Sequence, residues 1–351
     1  MVTKKMILPA CLAIGLVVSS NSASASTQFF DVDDSHWAKK TIYEYAEKGY
    51  LLDTQTTHFY PDEAITRAEA LVLICKVKGI QLDALVKLNA KDLPRSHKYY
   101  KEVRKMVELG VIDNAVFINP DQKLKRSELT KILAKGFGVE VDSVNRTKFR
   151  DYKQTFWARD YIESMADAGL VNGVGQMKFQ PDRFVTNAEM VTLLSRLEQF
   201  KQKEANYEIV YDFMRKDYIN TYNEHAAWLN EVIYLTNLER EKLNLPLFAH
   251  DPALTQIAII KAQDMVKERY FNHRSPIYGE PWNMAVLFDY PFVRFGENLG
   301  RYQKSPYEVV SQWMESKEHI VNIANPNFSK IGIGICVTKA GEYYWVQLFS
   351  G

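Results

Sequence analysis

Arg67 lies where a helix is predicted to begin, and it could bind an anion there. It falls between Thr66 and Glu69, and a Thr-x-x-Glu spacing is typical of a capping box, in which both side chains satisfy free backbone N–H groups. A capping box does not require arginine at the first helical position. Free N–H groups, the helix dipole and a guanidinium together favour a carboxylate ligand. We therefore predict structural roles for Thr66 and Glu69 and a binding role for Arg67.

The pattern around Arg67 occurs three times, with a period of about 60 residues. In each copy an aspartate precedes a helix-like stretch that ends in glycine, and a Pro-Asp pair and a glutamate follow. The aligned residues are Asp31, Asp92 and Asp151; Gly49, Gly110 and Gly169; Pro61-Asp62, Pro120-Asp121 and Pro181-Asp182; and Glu69, Glu128 and Glu189. Three helix–loop–helix units can share a core that none could bury alone, and the glycines are expected at helix C-termini.

The first and third copies resemble the S-layer homology (SLH) domain. The motifs that carry the resemblance are Phe29-Phe30-Asp31, His36-Trp37-Ala38, Phe59-Tyr60-Pro61-Asp62 and Thr66-Arg67-Ala68-Glu69, then Phe149-Arg150-Asp151, Trp157-Ala158, Phe179-Gln180-Pro181-Asp182 and Thr186-Asn187-Ala188-Glu189. The middle copy diverges, with Lys98 at the Trp position and Lys125-Arg126-Ser127-Glu128 for the Thr-Arg-Ala-Glu motif. We expect SLH repeats at residues 29–82, 88–142 and 147–200.

The SLH resemblance implies an all-α pseudo-trimer that holds an exported protein on a Gram-positive cell wall. Its expected partner is secondary cell-wall polysaccharide, often pyruvylated; the pyruvyl carboxylate suits Arg67, and Trp37 could stack on a sugar ring. The expected polysaccharide-binding residues are Asp31, Trp37, Arg67, Arg126 and Trp157.

Departures among the copies predict unequal binding sites. The third repeat has Asn187 at the Arg position and the second lacks the Trp, so we expect the first repeat to carry the strongest site and Arg126 to contribute a second. Asp31, Asp92 and Asp151 could instead cap the helices that follow them.

The N-terminus resembles a secretory signal peptide at residues 1–25. Lys4 and Lys5 precede an apolar run from Met6 to Val18 and a small-residue Ala23-Ser24-Ala25 site. That run is shorter than the ~20 residues of a spanning helix, and no later segment is long and apolar enough, so no transmembrane segment is expected in the mature chain. Cys11 is a weaker indication of a lipoprotein site.

Charge and cysteine content exclude some classes of partner. Removing residues 1–25 changes the formal net charge from +1 to −1, because two lysines are lost. A near-neutral chain gives no case for nucleic acid. Cys75 and Cys336 each lie in an apolar run, which favours two buried free thiols over a disulfide.

Residues 201–226 are predicted to be a partly helical linker, and residues 227–351 an α+β, α–β–α layered domain. The linker lacks Pro and Gly. Helices are expected over Trp228 to Leu243 and from Asp251-Pro252 onward. Alternating residues from Ile331 onward predict strands of a mainly antiparallel sheet, and Gly332 and Gly334 on one strand face would let a helix approach closely.

This C-terminal region, from about Trp228 to Gly351, resembles the CAP superfamily (cysteine-rich secretory proteins, antigen 5, pathogenesis-related 1) in a disulfide-free bacterial form. The motifs, in the family's order, are Asn237-x-x-Arg240, Tyr270-Phe271-Asn272-His273-Arg274-Ser275-Pro276, Gly296-Glu297-Asn298-Leu299, Trp313 to Ile323, Ile331-Gly332-Ile333-Gly334 and Tyr344 to Phe349. The resemblance implies a cavity holding His273, His319 and Glu297. Glu315 is a fourth acid near the family position but offset from it.

Two imidazoles and a carboxylate suffice for zinc or another divalent cation, and they could also act as general acid and base around a bound water. The alternative is a hydrogen-bonded structural cluster. Glu318 and Ile320 flank His319 where the bacterial family usually has Gly and Arg, which puts activity in doubt.

Two functions remain open at this point. The first is a non-enzymatic, wall-anchored protein whose CAP domain binds a metal, a lipid or a wall component such as peptidoglycan. The second is a metal-assisted surface hydrolase, acting on protein or peptidoglycan, with Glu297 as base and His273 and His319 as ligands. A structural lattice protein ranks last, because the chain is small for that role.

Overall fold

The protein, represented by a computed structural model, is described over residues 28–52, 57–221 and 226–351. These residues form two compact units that divide between Gln202 and Lys203. The predicted signal peptide at residues 1–25 lies outside the described residues. Among the helices of the described ranges, none has the length and apolar character to cross a membrane. Cys75 and Cys336 are buried free thiols, as predicted.

The N-terminal unit repeats a pair of helices joined by a loop. Its helices are α1 Lys39–Glu47, α2 Arg67–Val77, α3 Tyr100–Glu108, α4 Arg126–Phe137, α5 Arg159–Asp167 and α6 Asn187–Ala205, the last of which ends just past the division between the units. Gly49, Gly110 and Gly169 follow the first helix of each pair at φ values of 71°, 70° and 71°. A positive φ at that position is what glycine provides at low cost, which confirms the predicted helix ends.

The predicted capping boxes are present at the second helices. The Thr66 hydroxyl accepts a hydrogen bond from the Glu69 amide, while the Glu69 carboxylate accepts one from the Thr66 amide at 2.9 Å. Thr186 and Glu189 make the same reciprocal pair. In the middle copy Glu128 still accepts from the Lys125 amide at 3.0 Å. The structural roles predicted for Thr66 and Glu69 are therefore confirmed.

Three backbone hydrogen bonds join the three copies in a closed ring. The Ile65 amide donates to the Val185 carbonyl (2.9 Å), Val185 donates to Leu124 (3.0 Å), and Leu124 donates to Ile65 (2.9 Å). All three side chains are buried. Each copy thus supplies one donor and one acceptor to its two neighbours, which is a pseudo-three-fold arrangement that no single copy can form.

The C-terminal unit is α+β, as predicted. Its elements are β1 Ile209–Asp212, β2 Asp217–Asn220, α7 Ala226–Lys242, β3 Ala249–His250, α8 Pro252–Lys267, α9 Pro281–Leu287, β4 Phe295–Arg301, α10 Pro306–Glu315, α11 Lys317–Ile323, β5 Lys330–Val337 and β6 Tyr343–Ser350. Four strands form a mixed sheet in the order β3-β5-β6-β4, in which only the short β3–β5 pair is parallel. Asp251 caps α8 with Pro252 in its first turn, also as predicted.

The segment predicted as a linker contains regular secondary structure. α6 covers its first residues to Ala205, and an antiparallel hairpin, β1–β2, then pairs Ile209 with Asn220 and Asp212 with Asp217. Val210 belongs to the hydrophobic core of the C-terminal unit. The sequence did not indicate this hairpin, because its alternation is short and a buried Asp212 interrupts the apolar pattern.

Helices lie on both faces of the four-stranded sheet. Gly332 and Gly334 face α8 so closely that a Cβ on either would lie 2.4 Å or less from α8 backbone atoms, which confirms the predicted close approach. On the opposite face the Gln347 side chain accepts and donates hydrogen bonds, including one to the Thr236 hydroxyl of α7 at 2.9 Å. The sheet is therefore buried on both sides.

We predict that Gly334→Ala will destabilise the C-terminal unit by roughly 1–3 kcal/mol, because its Cβ would lie 2.1 Å from the carbonyl group of Ala258 and α8 would have to move. Calorimetric unfolding of the full chain would measure the loss. Gly341→Asn is the control, since that turn has open space and asparagine tolerates its positive φ of 79°. Equal unfolding temperatures for Gly334→Ala and wild type would contradict this packing.

Candidate functional site

Arg67 is held in place by an acidic residue of the next repeat. Its Nη2 donates to the Glu128 Oε1 at 2.5 Å, and the two side chains are 14% and 23% exposed. Its Nε is buried and has no partner among the described residues. The guanidinium is therefore fixed in position at the start of α2 while part of its donor capacity is unused.

A cleft of about 240 Å³ contains Arg67 and Glu128, and its wall is built from three repeats. Trp157, from the third repeat, lies at this cleft and is 54% exposed. The loop from Val111 to Asn119 of the second repeat forms much of the rest. An arginine and an exposed indole in one cleft match what a carboxylate-bearing sugar requires.

A second cleft, of about 190 Å³, is built in the same way, but each repeat supplies a different part of it. Arg126 of the second repeat donates from Nε to the Phe179 carbonyl and from Nη2 to the Asn172 carbonyl, both at 3.0 Å. Glu189 of the third repeat and Trp37 of the first, which is 63% exposed, complete it. Burial lowers the pKa of Arg126.

Each cleft therefore combines an Arg from one repeat, a Glu and a loop from the next, and a Trp from the one after. Arg67 and Trp37, both in the first repeat, lie in different clefts, so a cleft is not contained within one repeat. The expectation that the first repeat carries the strongest site stays a prediction. The sequence alignment identified equivalent positions but could not show which copies meet, because that depends on the ring of Ile65, Leu124 and Val185.

Each place where an Arg position, a Glu and a Trp position of three repeats meet is called a junction. The third junction differs from the two that form the clefts at both its Arg position and its Trp position. Asn187 occupies the Arg position and donates from Nδ2 to the Tyr60 carbonyl at 3.0 Å. Lys98 occupies the Trp position and lies within electrostatic range of Glu69. The two departures that the sequence showed in separate repeats thus fall at one junction, which leaves two junctions with the full set of residue types.

Asp31 has a structural contact within its own repeat. Its carboxylate accepts from the amides of Phe59 at 2.9 Å and Tyr60 at 2.6 Å. Asp92 and Asp151 make the equivalent contacts with residues 118–119 and 179–180. Asp31 lines neither cleft described above, and Ala38 at the start of α1 has no side-chain cap, so the helix-capping alternative is wrong. Its predicted role in polysaccharide binding stays a prediction.

In the C-terminal unit, His273 and Glu297 form a hydrogen-bonded pair. The His273 Nδ1 lies 2.7 Å from the Glu297 Oε1. Glu297 is on β4 and its side chain is 3% exposed, whereas the His273 side chain is 53% exposed. A buried carboxylate thus orients an imidazole whose other edge reaches solvent, an arrangement suited to proton transfer.

His319, on α11, is the third predicted cavity residue. Its Nδ1 is buried without a hydrogen-bond partner among the described residues, and its carbonyl accepts from the Asn298 Nδ2 at 3.1 Å. Asn322 donates to the Asn298 side chain at 2.8 Å and to the Glu297 carbonyl at 3.2 Å. These amides fix α11 against β4, next to Glu297.

The two imidazoles have opposite pKa shifts. The hydrogen bond to Glu297 raises the pKa of His273, although burial opposes the shift. Burial lowers the pKa of His319, and the nearby charge of His273 lowers it further, while Glu318 opposes both. Burial also raises the pKa of the Glu297 carboxyl, against the effects of His273 and Lys261.

The part of the chain that the structure describes contains no ready-made metal centre. Within the described residues no group of three or more His, Cys, Asp or Glu side chains is arranged to hold a metal ion. Glu315, the fourth predicted acid, is exposed at the last residue of α10. Zinc or another divalent cation at His273, His319 and Glu297 therefore stays a prediction, and the observed contact is a His–Glu hydrogen bond.

Lys261 is a site residue that the sequence analysis missed. It is 2% exposed on α8, and its Nζ donates to the carbonyls of Asn272 (2.8 Å) and His273 (2.6 Å) and to the Tyr270 hydroxyl (3.1 Å). Burial lowers its pKa, against the nearby Glu297 charge. A lysine on an otherwise apolar helix gives no sequence signal of burial, since lysine is ordinarily exposed.

Comparison with known proteins identifies two kinds of domain in the chain. Residues 28–71 and 148–191 match the S-layer homology domain, and residues 233–349 match the cysteine-rich secretory protein family, CAP. The N-terminal unit thus carries two SLH repeats, and the C-terminal unit carries a CAP domain. The β1–β2 hairpin lies between these matched regions.

Two curated relatives are each similar to part of the chain. The uncharacterized protein YkwD of Bacillus subtilis (strain 168) is 42% identical over 126 residues, which is 36% of this chain and 48% of its own length. The S-layer protein sap of Bacillus anthracis is 26% identical over 205 residues, 57% of this chain and 25% of its own length. The chain thus spans less than half of either relative. With the SLH repeats, these matches support a surface protein associated with the cell wall or S-layer.

A solved structure of an extracellular protein containing an SCP domain from Bacillus anthracis str. Ames aligns with 38% of this chain and 45% of its own, at 26% identity. The TM-score of that alignment is 0.33.

We predict that His273 titrates above its ordinary value of 6.5 and His319 below it, so that one imidazole is protonated and the other neutral between the two midpoints. NMR titration of the full chain with labelled histidine would measure both, with assignment by single His→Gln variants. Glu297→Gln should lower the His273 midpoint towards 6.5. A His319 midpoint above that of His273 would contradict the described contacts.

Proposed function

We propose that this chain is an exported protein held non-covalently on secondary cell-wall polysaccharide by its N-terminal unit, where it presents a CAP domain with a ligand-binding His–Glu site. The observation that carries the proposal is the pair of clefts, each with an arginine, a glutamate and an exposed tryptophan from three different repeats. The SLH matches and the S-layer relatives support the surface location.

The middle segment, residues 88–142, acts as a third SLH repeat in this proposal. Its Glu128 keeps the contact with the residue before α4, Asp92 keeps the contact with its own loop, and Leu124 takes its place in the ring. Lys98 and Lys125 depart from the repeat motif, but these hydrogen bonds are still made. A domain with only two repeats would leave hydrogen bonds of the ring unmade.

The proposed ligand is a polysaccharide that bears carboxylates, such as one with pyruvyl ketals. In the first cleft a ligand carboxylate would use the arginine donors that Glu128 does not engage, and an indole face would pack on the sugar ring. Arg67 and Arg126 are buried enough for a charged hydrogen bond to matter, because water screens a partly buried pair less than an exposed one.

For the C-terminal site we propose binding of a metal, a lipid or a wall ligand such as peptidoglycan by His273, Glu297 and His319. The half-exposed imidazole supports contact with a ligand from solvent. The second candidate is a surface hydrolase acting on protein or peptidoglycan. The His273–Glu297 hydrogen bond favours it, because such a pair can remove a proton from a bound water.

We predict that Arg67→Ala and Arg126→Ala will each lower the fraction of full-length protein that pellets with purified cell walls several-fold, and that the double variant will lower it more. Each substitution removes the guanidinium, and with it the positive charge, from one cleft. Arg95→Ala, at an exposed residue outside both clefts, is the control and should pellet like wild type. Circular dichroism must show that the variants are folded. Pelleting of the wild-type protein that persists after removal of the wall polysaccharide would contradict the anchoring proposal.

For the C-terminal site, we predict saturable binding of a wall or membrane extract component that His273→Ala/His319→Ala lowers at least tenfold, with no released product. Full-length protein would be incubated with peptidoglycan and a peptide pool, with zinc and with chelator, beside that double variant. Product that requires zinc and both histidines would instead establish the hydrolase and displace the binding function.

A further inference from the structure

The β1–β2 hairpin is built into the C-terminal unit through buried charges. Asp212, at the end of β1, is fully buried, and it accepts a hydrogen bond from the Tyr278 hydroxyl. Arg215, in the turn, donates from Nε to the same hydroxyl at 3.2 Å. This segment lies between the regions that match the two families. A buried carboxylate there would lower stability if it were unpaired, so its partners matter.

Arg215 also contacts a second buried carboxylate, on α8. Its Nη2 lies 2.8 Å from the Asp264 Oδ1, and Asp264 is 2% exposed. The same nitrogen reaches Glu268 at 3.0 Å. Arg215 is thus the cation that the described contacts place against Asp264.

Asp264 in turn anchors both ends of the segment that carries His273. Its Oδ2 accepts from the Tyr270 hydroxyl and from the Ser275 hydroxyl, both at 2.6 Å. The Ser275 Oγ also accepts from the amides of Ile277 and Tyr278, at 3.0 and 2.9 Å. Residues 270 to 278 are therefore tied to one carboxylate whose other oxygen faces Arg215.

Between those two anchors, Lys261 holds the backbone of the segment. Its ammonium contacts the Tyr270 hydroxyl and the carbonyls of Asn272 and His273. The His273 side chain itself is 53% exposed, so side-chain packing alone cannot hold it against Glu297. Besides its own hydrogen bond to Glu297, the imidazole is held by the backbone contacts of its segment, and these lead back through Tyr270 and Asp264 to Arg215.

We propose that the β1–β2 hairpin is a working part of the CAP site and that Arg215 is a positioning residue, which acts through Asp264 to hold His273 against Glu297. This inference rests on the proposed binding role of that pair. It extends the site to a segment that lies upstream of the CAP match, and it predicts that the CAP fold without the hairpin would hold His273 loosely.

The test is the ring environment of His273 in the full-length chain, observed by NMR of labelled histidine nitrogens at one fixed pH. In wild type we expect one set of signals with a hydrogen-bonded Nδ1. Arg215→Gln should move these signals towards those of an exposed, free imidazole, and Arg215→Lys should restore them at least in part. Lys216→Gln removes a charge from an exposed residue of the same turn and should change nothing.

Tyr270→Phe is the second variant, because it removes the hydroxyl shared by Lys261 and Asp264 and leaves the hairpin intact. It should move the His273 signals in the same direction as Arg215→Gln. If Arg215→Gln does not fold, Tyr270→Phe and Arg215→Lys decide the question. Folded Arg215→Gln or Tyr270→Phe with wild-type His273 signals would overturn the proposal.

The readout needs no ligand, so it separates this inference from the proposed function. Shifted His273 signals in a protein that binds no wall or membrane component would keep the positioning role and remove the binding role. Ligand binding that depends on His273 but is unchanged by Arg215→Gln, with unshifted His273 signals, would keep the binding role and remove the positioning role.

Discussion

The N-terminal unit depends on the ring of backbone hydrogen bonds among Ile65, Leu124 and Val185. These residues are buried, and a buried backbone amide without a partner costs about as much as a lost hydrogen bond, so each copy requires both of its neighbours. The ring also fixes where each second helix begins: the Arg67, Arg126 and Asn187 amides donate to carbonyls of the adjoining loops. Because of this, both described clefts are shared among repeats, and the loss of Arg in one copy and of Trp in another falls on one junction.

In the C-terminal unit the corresponding constraint is the pairing of buried charges. Lys261 and Asp264 lie on α8, the helix that Gly332 and Gly334 admit against the sheet, and each is almost fully buried. Asp264 pairs with Arg215, and both Lys261 and Asp264 contact backbone or hydroxyl groups of the segment around His273. The same contacts that keep these charges satisfied therefore determine where the exposed imidazole lies relative to Glu297.

Local features of both units could be predicted from the sequence because they depend on neighbouring residues. The Thr66–Glu69 capping box, the glycine at position 49 and the start of α8 at Asp251 follow from helix chemistry over a few residues. The alternation from Ile331 predicted β5, and paired glycines predicted the approach of α8. The resemblances also supplied His273 and Glu297, which the structure brings within hydrogen-bond distance.

Contacts between distant segments could not be predicted in this way. Nothing in the sequence around Arg67 indicates that its partner is Glu128 or that Trp157 completes its cleft. Asp31 serves its own loop 28 residues later, a contact that a capping interpretation missed. Lys261 and the β1–β2 hairpin were missed because burial of a charge is decided by its partners, which come from elsewhere in the chain.

The most direct test of the account is the number of polysaccharide fragments that one full-length chain binds, measured by isothermal titration calorimetry. Two complete junctions predict two sites per chain, one lost in Arg67→Ala and the other in Arg126→Ala. Three equivalent sites, or a single site removed by either substitution, would contradict the claim that clefts shared between repeats anchor this protein.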